Sequence, residues 1–396
     1  MTNQAAGRTA VSETTRLGWL ALALTPEMGP RRVAQAVARF GGDAAEVFEA
    51  SLTELEAVGL PAKAAQFVAD GRAASAAEEE SKRIAQAGGF FLTRADEEYP
   101  ERLREIYDPP AVLWMRGDAA LLKRPGIAVV GTRHPSPYGA GMAEMLSRDL
   151  AGRGVVILSG MARGVDTAAH KGALDAGGKT VAVWGTSIDV VYPKENKKLA
   201  EQIVERGGAI VSEFAMGTFP APQNFPIRNR ILSGMSVGVL VVEAGEYSGT
   251  RITARCAMEQ NRDVYAVPGN VTNKNAWGPN TLIKQGAKLT ATWEDVWEEL
   301  PSEIKAQLEE ITGVAGRGES EGNGAASLFG EEEQGLAEQE RMVLERLRRD
   351  EATQLDELIE ALEQEMGSAE IFAALFELEL RGRVKQMPGK NYVRSF

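Results

Sequence analysis

Three turns of the chain combine small residues with an arginine directly after an apolar run. They are Gly131-Thr132-Arg133, Ser159-Gly160-Met161-Ala162-Arg163-Gly164 and Ser248-Gly249-Thr250-Arg251. Small residues let backbone N–H groups approach an anion, and the N-terminus of a following helix adds partial positive charge. An arginine adds a planar, permanently charged group that suits phosphate. The turns therefore predict a phosphate-binding edge; the alternative is that the glycines only permit tight turns and the arginines form salt bridges.

A fourth stretch places an aromatic ring, an amide and two arginines within six residues. Its sequence is Phe225-Pro226-Ile227-Arg228-Asn229-Arg230. An aromatic ring beside a phosphate-binding groove can stack on a base of any identity, which contributes about 1–3 kcal/mol. Two alternatives stay open: Phe225 is a core side chain, and one of the two arginines forms a buried structural ion pair.

The elements that position these residues are predicted from apolar runs of strand length. The runs are Ile127–Val130, Val155–Leu158, Thr180–Val183, Ala209–Val211, Val237–Val242 and Val264–Val267. Helix-like stretches lie between them at Gly141–Gly152, Val165–Ala176, Glu195–Arg206 and Ile252–Asn261. Near-continuous apolar strands that alternate with helices indicate an α/β fold, with a doubly wound, mostly parallel sheet covered on both faces. Right-handed crossovers place every strand-to-helix turn at one sheet edge, where ligands bind.

The charge of the chain is distributed unevenly. The 396 residues carry a formal net charge of −12, which at face value argues against a nucleic-acid partner. Residues 291–396, however, contain 25 acidic and 11 basic side chains, whereas residues 217–290 contain four acidic and eight basic ones. Because a ligand responds to the field of one surface, the acidic C-terminal quarter does not exclude nucleic-acid binding at the sheet edge.

Composition and missing motifs exclude several classes of protein. A single cysteine, Cys256, excludes a disulfide framework and a cysteine-rich zinc site. No run approaches ~18 apolar residues, and the N-terminus lacks the apolar core of a signal peptide, so we expect a cytoplasmic protein without a membrane segment. The chain has no G-x-x-x-x-G-K-[ST] motif, and no G-x-G-x-x-G follows the first strand, so a P-loop nucleotidase and a dinucleotide oxidoreductase are disfavoured.

The titratable residues give no convincing catalytic or metal set, so we predict no catalytic residue, cofactor or metal. His134 and His170 lack metal-ligand spacing. Asp166 lies four residues before His170, and a pair at this helical spacing is more typical of a residue that orients a turn. Acidic residues near strand ends offer an acid/base set that no spacing pairs, namely Asp189, Glu213 and Glu243.

Four regions are predicted along the chain. Residues 1–85 read as short helices with breaks at Pro26, Gly29-Pro30, Gly41-Gly42 and Gly59–Pro61. Within them, TPEMGPRRVAQAVARFGG is typical of a helix-hairpin-helix, with an ordinary helical bundle as the alternative. Residues 86–300 form the sheet domain. Residues 313–337 are rich in Gly, Ser and Glu, so a flexible acidic linker is assigned to 301–337. Three helices and a hairpin in 338–396 predict a winged helix.

The motifs of the sheet region resemble the DprA/Smf family of bacterial DNA-processing proteins. The resemblance runs from about residue 90 to residue 287 and rests on ordered, specific segments. These are IAVVGTRHPSPYG, ILSGMARGVDTAAHKGAL, VAVWGTSIDVVYPKENKKL, SEFAMGTFPAPQNFPIRNRI, VVEAGEYSGTRITARCAMEQNRDVYAVPG and GPNTLIKQGA. The resemblance implies an extended Rossmann-like domain, flanked by an N-terminal SAM/helix-hairpin-helix-like domain and a C-terminal winged helix.

The same resemblance implies a function and a set of contacts. The implied function is binding and protection of incoming single-stranded DNA and loading of the RecA recombinase during natural transformation, by a homodimer formed through the sheet domain. The implied DNA contacts are Gly131, Thr132, Arg133, Ser159, Gly160, Arg163, Gly164, Phe225, Arg228 and Arg230, with Asn229, Ser248, Gly249, Thr250 and Arg251 as further contacts. The chain departs from the family at Thr132, where a serine is common, and at Gln223-Asn224, where some members carry a lysine.

Two other functions stay open at this stage. One is a nucleotide-processing hydrolase, similar to nucleoside monophosphate phosphoribohydrolases of the lysine-decarboxylase-like fold. Such enzymes typically carry P-G-G-x-G-T-x-x-E, whereas the matching turn here, EAGEYSGTRITA, has Arg251 and no glutamate at the catalytic place. The other is a transcriptional adaptor whose winged helix binds duplex DNA, which the acidity of that module disfavours.

Overall fold

The computed structural model of the chain describes residues 11–313, 337–347, 352–362, 365–381, 383–387 and 389–394. Its N-terminal region consists of helices. They are α1 (Glu13–Leu24), α2 (Pro30–Arg39), α3 (Leu52–Ala57), α4 (Ala62–Ala69) and α5 (Arg72–Gln86). The predicted breaks at Pro26, Gly41-Gly42 and Gly59–Pro61 all fall between helices, because proline and positive-φ glycine end a helix.

A nine-stranded sheet follows the N-terminal helices. Its strands are β1 (Phe90–Thr93), β2 (Val112–Gly117), β3 (Gly126–Val130), β4 (Val156–Ser159), β5 (Thr180–Trp184), β6 (Ala209–Ser212), β7 (Gly238–Val241), β8 (Asp263–Ala266) and β9 (Lys288–Leu289). Their spatial order is β1-β2-β6-β5-β4-β3-β7-β8-β9. All neighbours from β6 to β9 are parallel, and β1 and β2 add two antiparallel pairs at one edge. The predicted mostly parallel sheet is confirmed.

Helices cover both faces of this sheet. They are α6 (Glu101–Arg104), α7 (Pro137–Gly152), α8 (Val165–Asp175), α9 (Lys197–Glu205), α10 (Asn224–Met235), α11 (Thr250–Glu259), α12 (Trp277–Lys284), α13 (Trp293–Glu299) and α14 (Ser302–Thr312). Alternate residues of β3 enter two different hydrophobic clusters: Ile127 and Val129 pack with α7 and α8, whereas Ala128 and Val130 pack with α10 and α11. Both faces of the strand are therefore buried, as expected for a parallel sheet between helices.

The C-terminal region has a core of its own. Its elements are α15 (Glu338–Arg346), β10 (Thr353–Gln354), α16 (Leu355–Leu362), α17 (Ser368–Leu380), β11 (Val384–Met387) and β12 (Asn391–Arg394). The three strands form an antiparallel sheet in the order β10-β12-β11. Their hydrophobic cluster contains only residues from 342 to 392. Three helices and a β-hairpin are the predicted winged-helix layout.

The segment assigned to the linker, 301–337, begins with structure. Residues Ser302–Thr312 form α14, and Ile304 and Leu308 of this helix are buried against the sheet domain, in the cluster that contains α7. The apolar spacing of these two residues explains the helix, because positions four apart share one face. The Gly-, Ser- and Glu-rich remainder, 314–336, lies outside the described residues. No helix in the described parts of the chain is both long and apolar enough to cross a bilayer.

Candidate nucleic-acid interface

A cavity of about 510 Å³ opens at the carboxyl ends of β3 and β7. The chain leaves β3 towards β4 on one side, whereas β7 lies on the other side of β3, so the strand order reverses here. Ligands of doubly wound folds bind in the crevice at such a switch point. Nine of the residues predicted from the sequence line this cavity: Gly131, Thr132, Arg133, Phe225, Arg228, Asn229, Ser248, Gly249 and Thr250.

The turn after β3 is held between β7 and α8 by main-chain hydrogen bonds. The Thr132 amide donates to the Glu243 carbonyl at 2.7 Å, and the Val165 amide donates to the Thr132 carbonyl at 3.2 Å. A Cβ at Gly131 would lie 2.5 Å from Val165 Cγ2, so only glycine allows this approach. Gly164 has φ +76°, a backbone region that favours glycine. These glycines therefore serve to bring the first two turns together.

Two of the protein's own carboxylates bond to the N-cap residue of α7 and to the turn that precedes α8. At α7, Glu243 accepts hydrogen bonds from the Ser136 amide at 2.8 Å and from Ser136 Oγ at 2.6 Å. At α8, Asp166 Oδ2 accepts from the amides of Gly160 and Ala162, each at 3.1 Å. An internal anion thus takes the place that the sequence assigned to phosphate. The amides of Gly160 and Ala162 are therefore engaged inside the protein.

Arg228 lies beneath the second turn and is almost completely enclosed. Its side chain is 5% exposed, and its guanidinium donates to the Val183 carbonyl and, at 3.2 Å, to Asn229 Oδ1. Burial lowers the pKa of Arg228 to about 10, which Asp166 opposes, so the side chain is charged at neutral pH. Burial also raises the pKa of Asp166, against the opposing effect of Arg228. Arg228 therefore supplies positive charge to the cavity floor.

Phe225 is partly exposed and lies beside an exposed arginine. The Arg133 guanidinium carbon is 5.6 Å from the centroid of the Phe225 ring. Tyr192 packs against the same ring with centroids 5.6 Å apart and planes tilted by 45°. A Cβ at Gly185 would lie 2.9 Å from Phe225 Cδ1, so glycine at the end of β5 gives the ring its place. Phe225 thus lines the cavity with an aromatic surface next to a cation.

The exposed arginines of the other two turns do not line the cavity and have partners of their own. Arg163 forms an ion pair with Glu195, and both side chains are more than half exposed. Exposed pairs of this kind contribute little, on the order of 0–1 kcal/mol, so a stronger anion can replace Glu195. Arg251 donates to the Glu246 carbonyl at 2.8 Å and lies over the ring of Trp277, outside the cavity.

Two residues of the predicted contact set have structural roles. Arg230 Nε lies 2.9 Å from Asp108 Oδ2, and Arg230 Nη2 lies 2.6 Å from Glu213 Oε1, away from the cavity. Arg230 therefore follows the alternative stated for one of the two arginines, namely a structural ion pair. The Ser159 hydroxyl is fully buried and donates to the Val129 carbonyl at 2.7 Å, so it ties β4 to β3.

The acidic residues near strand ends are each engaged by a different partner. Glu213 pairs with Arg230, Glu243 holds Ser136, and Asp189 accepts from the Gly217 amide at 3.2 Å. Burial raises the pKa of Glu213, and Arg230 opposes this effect. They do not act on one another as an acid/base set.

Asp166 and His170 do not act as the pair that their spacing suggested: Asp166 alone orients the turn, through its bonds to Gly160 and Ala162. His170 bonds instead to Thr180, with Nδ1 2.7 Å from Oγ1. Because the Thr180 hydroxyl donates to the Ile157 carbonyl, His170 must carry its proton on Nδ1.

Sequence reasoning named Glu243 and Asp166 but did not predict their bonds to the turns, and it missed several lining residues. Glu243 lies two residues after β7, and Asp166 is the second residue of α8, a position that favours an acidic side chain. These positions in the sequence were the available indication that the two carboxylates bond to nearby turns. The unpredicted lining residues include His134, Ala162, Glu246, Tyr247 and Asn275.

Comparisons with known proteins agree on one group of relatives. The family model described as DNA recombination-mediator protein A matches residues 90–301, and the DprA winged helix domain matches residues 330–390. Protein Smf of Escherichia coli is 40% identical over 304 residues, which cover 76% of this chain and 77% of that protein. DNA processing protein DprA of Bacillus subtilis is 44% identical over 208 residues, which cover 52% of this chain and 70% of that protein. The X-ray structure of DNA processing protein A from Streptococcus pneumoniae matches with a TM-score of 0.63 and 34% identity, over 74% of this chain and 99% of that one.

Proposed function

Since the chain belongs to the DNA recombination-mediator protein A family, we propose that it binds single-stranded DNA in the crevice between β3 and β7. The observation that carries this proposal is the pair of Arg133 and Phe225, an exposed cation beside a partly exposed ring in one cavity. The ring offers a stacking surface for a base, and the guanidinium offers a contact for the adjoining phosphate.

The same pair favours a single strand over a duplex. Stacking on Phe225 requires a base with a free face, whereas duplex bases are stacked on one another and must be flipped out first, at a cost of about a few kcal/mol. The contact is also indifferent to sequence, because every base has a π-face. We therefore propose binding that depends weakly on sequence and strongly on strandedness.

The structure supports a division of labour among the candidate residues. The residues that contact the strand are Arg133, Thr132, Phe225 and Asn229. Arg228 lies beneath them and attracts the phosphates through its positive charge. Exposed cations and small residues extend the contacts at the rim, namely Arg163, Ser248, Gly249, Thr250 and Arg251. Glycines shape the turns, namely Gly131, Gly160 and Gly164, and two structural residues hold the scaffold, namely Ser159 and Arg230.

The proposed cellular role follows from the family. We propose that the chain protects incoming single-stranded DNA in the cytoplasm and helps to load the RecA recombinase in natural transformation or recombination. We further propose that it acts as a homodimer through the sheet domain. These roles rest on the membership of the family and not on a surface assigned in this chain.

We propose a binding role without catalysis. The separate engagement of Asp189, Glu213 and Glu243 supports this, because general acid/base chemistry needs two groups directed at one substrate. The competing function is a hydrolase that acts on nucleoside monophosphates. Incubating the protein with the four common nucleoside monophosphates tests it, and sustained release of free base would contradict our proposal.

A gel-shift experiment tests the main proposal. A labelled single strand and the duplex of the same sequence are titrated with the full chain at several salt concentrations. We expect tighter binding of the single strand at every salt concentration, and an affinity that falls with salt because phosphate contacts release counterions. Equal or tighter binding of the duplex would overturn the proposal.

A further inference from the structure

A second groove, with a volume of about 460 Å³, adjoins the crevice. It lies between α11 and α12, and its walls include Arg251, Arg255, Met258, Trp277 and Gln285. The two grooves share the segment from Glu246 to Gly249 as a common wall. A linear ligand that leaves the crevice on this side therefore enters the second groove directly.

Trp277 and Arg251 repeat the arrangement of Phe225 and Arg133. The Arg251 guanidinium carbon is 5.2 Å from the Trp277 ring centroid, compared with 5.6 Å for the first pair. Trp277 is the first residue of α12 and is 39% exposed, so its indole is accessible to a ligand. An exposed tryptophan beside an arginine offers the same stacking and phosphate contacts as the first pair.

The wall between the grooves does not obstruct a passing strand. A Cβ at Gly249 would meet no atom within 4 Å, which shows open space above this turn. Tyr247 is 93% exposed at the same turn, so its ring is available to a base that crosses it. Arg255, on the far side, pairs with Glu259 at 3.7 Å across two exposed side chains, a weak pair that a phosphate can replace.

We propose that single-stranded DNA continues from the crevice over the Tyr247–Gly249 turn into the second groove. There a base stacks on Trp277, and Arg251 contacts the phosphate beside it. The inference rests on the proposed function and extends it: the binding site covers two adjoining grooves, with one aromatic–arginine pair in each.

The test compares oligonucleotide lengths with a Trp277→Ala variant of the full chain. Fluorescence anisotropy is measured with labelled oligothymidylates of about 4 and about 16 nucleotides, lengths that bracket common single-strand sites. We expect Trp277→Ala to leave the affinity for the short strand unchanged and to weaken the long strand by about 5- to 150-fold, the range expected for one lost stacking contact. Trp277→Phe keeps a ring and should retain most of the affinity for the long strand.

The outcomes separate this inference from the function on which it rests. If the wild-type chain binds neither strand, the proposed function fails. If it binds the long strand but Trp277→Ala has no effect, or weakens both strands equally, the second groove is not part of the DNA path. If the second groove binds a protein partner instead of DNA, Trp277→Ala will not change the affinity for the long strand. Should Trp277→Ala lose its native circular dichroism spectrum, Arg255→Ala takes its place, because Arg255 lines only the second groove, and the same selective loss is expected for the long strand.

Discussion

Arg133 and Arg228 show how one residue type serves two different purposes within one site. Arg133 is exposed and has Phe225 as its neighbour, so its charge is available to a ligand. Arg228 is buried, its guanidinium is hydrogen-bonded to the Val183 carbonyl, and its charge is balanced by Asp166. Replacing the first therefore affects binding alone, whereas replacing the second affects folding as well as binding.

For Arg133→Ala we expect weaker binding of single-stranded DNA and a salt dependence reduced by about one counterion, because one phosphate contact is lost. The free energy of unfolding should change little, since the side chain is exposed. Binding titrations at several salt concentrations measure both quantities. Arg148→Ala is the matched control: it removes the same charge from exposed surface on α7, outside the crevice. An unchanged salt slope in Arg133→Ala would remove this residue from the contact set.

For Arg228→Ala we expect a loss of about 3–5 kcal/mol in the free energy of unfolding, because Asp166 is left buried without its opposite charge. Urea unfolding followed by circular dichroism measures it. A double variant, Arg228→Ala with Asp166→Ala, removes both charges and should recover part of the loss. A single variant as stable as the wild type would show that the two side chains do not depend on each other.

The sequence was sufficient to bring Arg133 and Phe225 to one sheet edge but not to predict the partners of Arg230. The stretch from 225 to 230 lacks an apolar repeat that indicates a helix, yet it forms the first half of α10. Residues two positions apart on a helix do not share a face, so Arg228 and Arg230 point to opposite sides. Asp108 and Glu213, which hold Arg230, are distant in the sequence, and no local pattern reveals such a partner.

At the scale of elements, the strands that sequence reasoning predicted were those of the βαβ repeat. The six apolar runs correspond to β3–β8, each recognisable because both faces of its strand are buried. Strands β1, β2 and β9 were not predicted. The segment between β1 and β2 contains only the four-residue helix α6, so it gives no crossover pattern, and β9 has only two residues. Short edge strands are specified by their neighbours more than by their own residues.

The contact between α8 and β5 predicts a pH dependence of stability. Burial lowers the pKa of His170 to about 3 from 6.5, and Arg228 adds to the effect. Below pH 6.5 the unfolded chain binds a proton that the folded chain does not bind until about pH 3. The contribution of His170 is therefore complete above pH 6.5 and is lost as the pH falls towards 3, by up to about 1.4 kcal/mol per pH unit.

Urea unfolding at a series of pH values measures this dependence, and His170→Gln is the informative comparison because glutamine does not titrate. We expect a smaller loss of stability on acidification in the variant than in the wild type. Comparing the two proteins cancels the buried carboxyls Asp166 and Glu213, which are common to both. Parallel curves for the two proteins would show that His170 is not the group responsible.

At the scale of the whole molecule, the acidic charge and the crevice proposed to bind DNA belong to different regions. Residues 291–396 carry a net charge of −14, whereas the remainder carries +2. The winged helix has its own hydrophobic cluster, and the sheet domain does not depend on it for a core. An acidic module on a DNA-binding domain is a poor duplex binder, and a surface for a protein partner suits it better.

Deleting residues 338–396 should therefore leave the affinity for single-stranded DNA nearly unchanged. The reason is that the crevice is built entirely from residues 130–275, so its lining stays intact. Anisotropy titrations of the full and shortened chains at two salt concentrations measure the effect, with a thermal unfolding curve to verify the sheet domain. A tenfold or greater loss at both salt concentrations would place DNA contacts in the winged helix.

On the proposed function, the carboxylates of Glu243 and Asp166, which bond to the N-cap of α7 and to the turn before α8, have a consequence for the way a strand would be held and released. A helix start left open would capture a single phosphate, so free nucleotides would compete with DNA. With these positions filled, each remaining contact is weak alone, and tight binding depends on many contacts made by one polymer. Such a complex discriminates by length, and it can be dismantled one nucleotide at a time. A strand bound in this way can be transferred progressively to another protein without first dissociating.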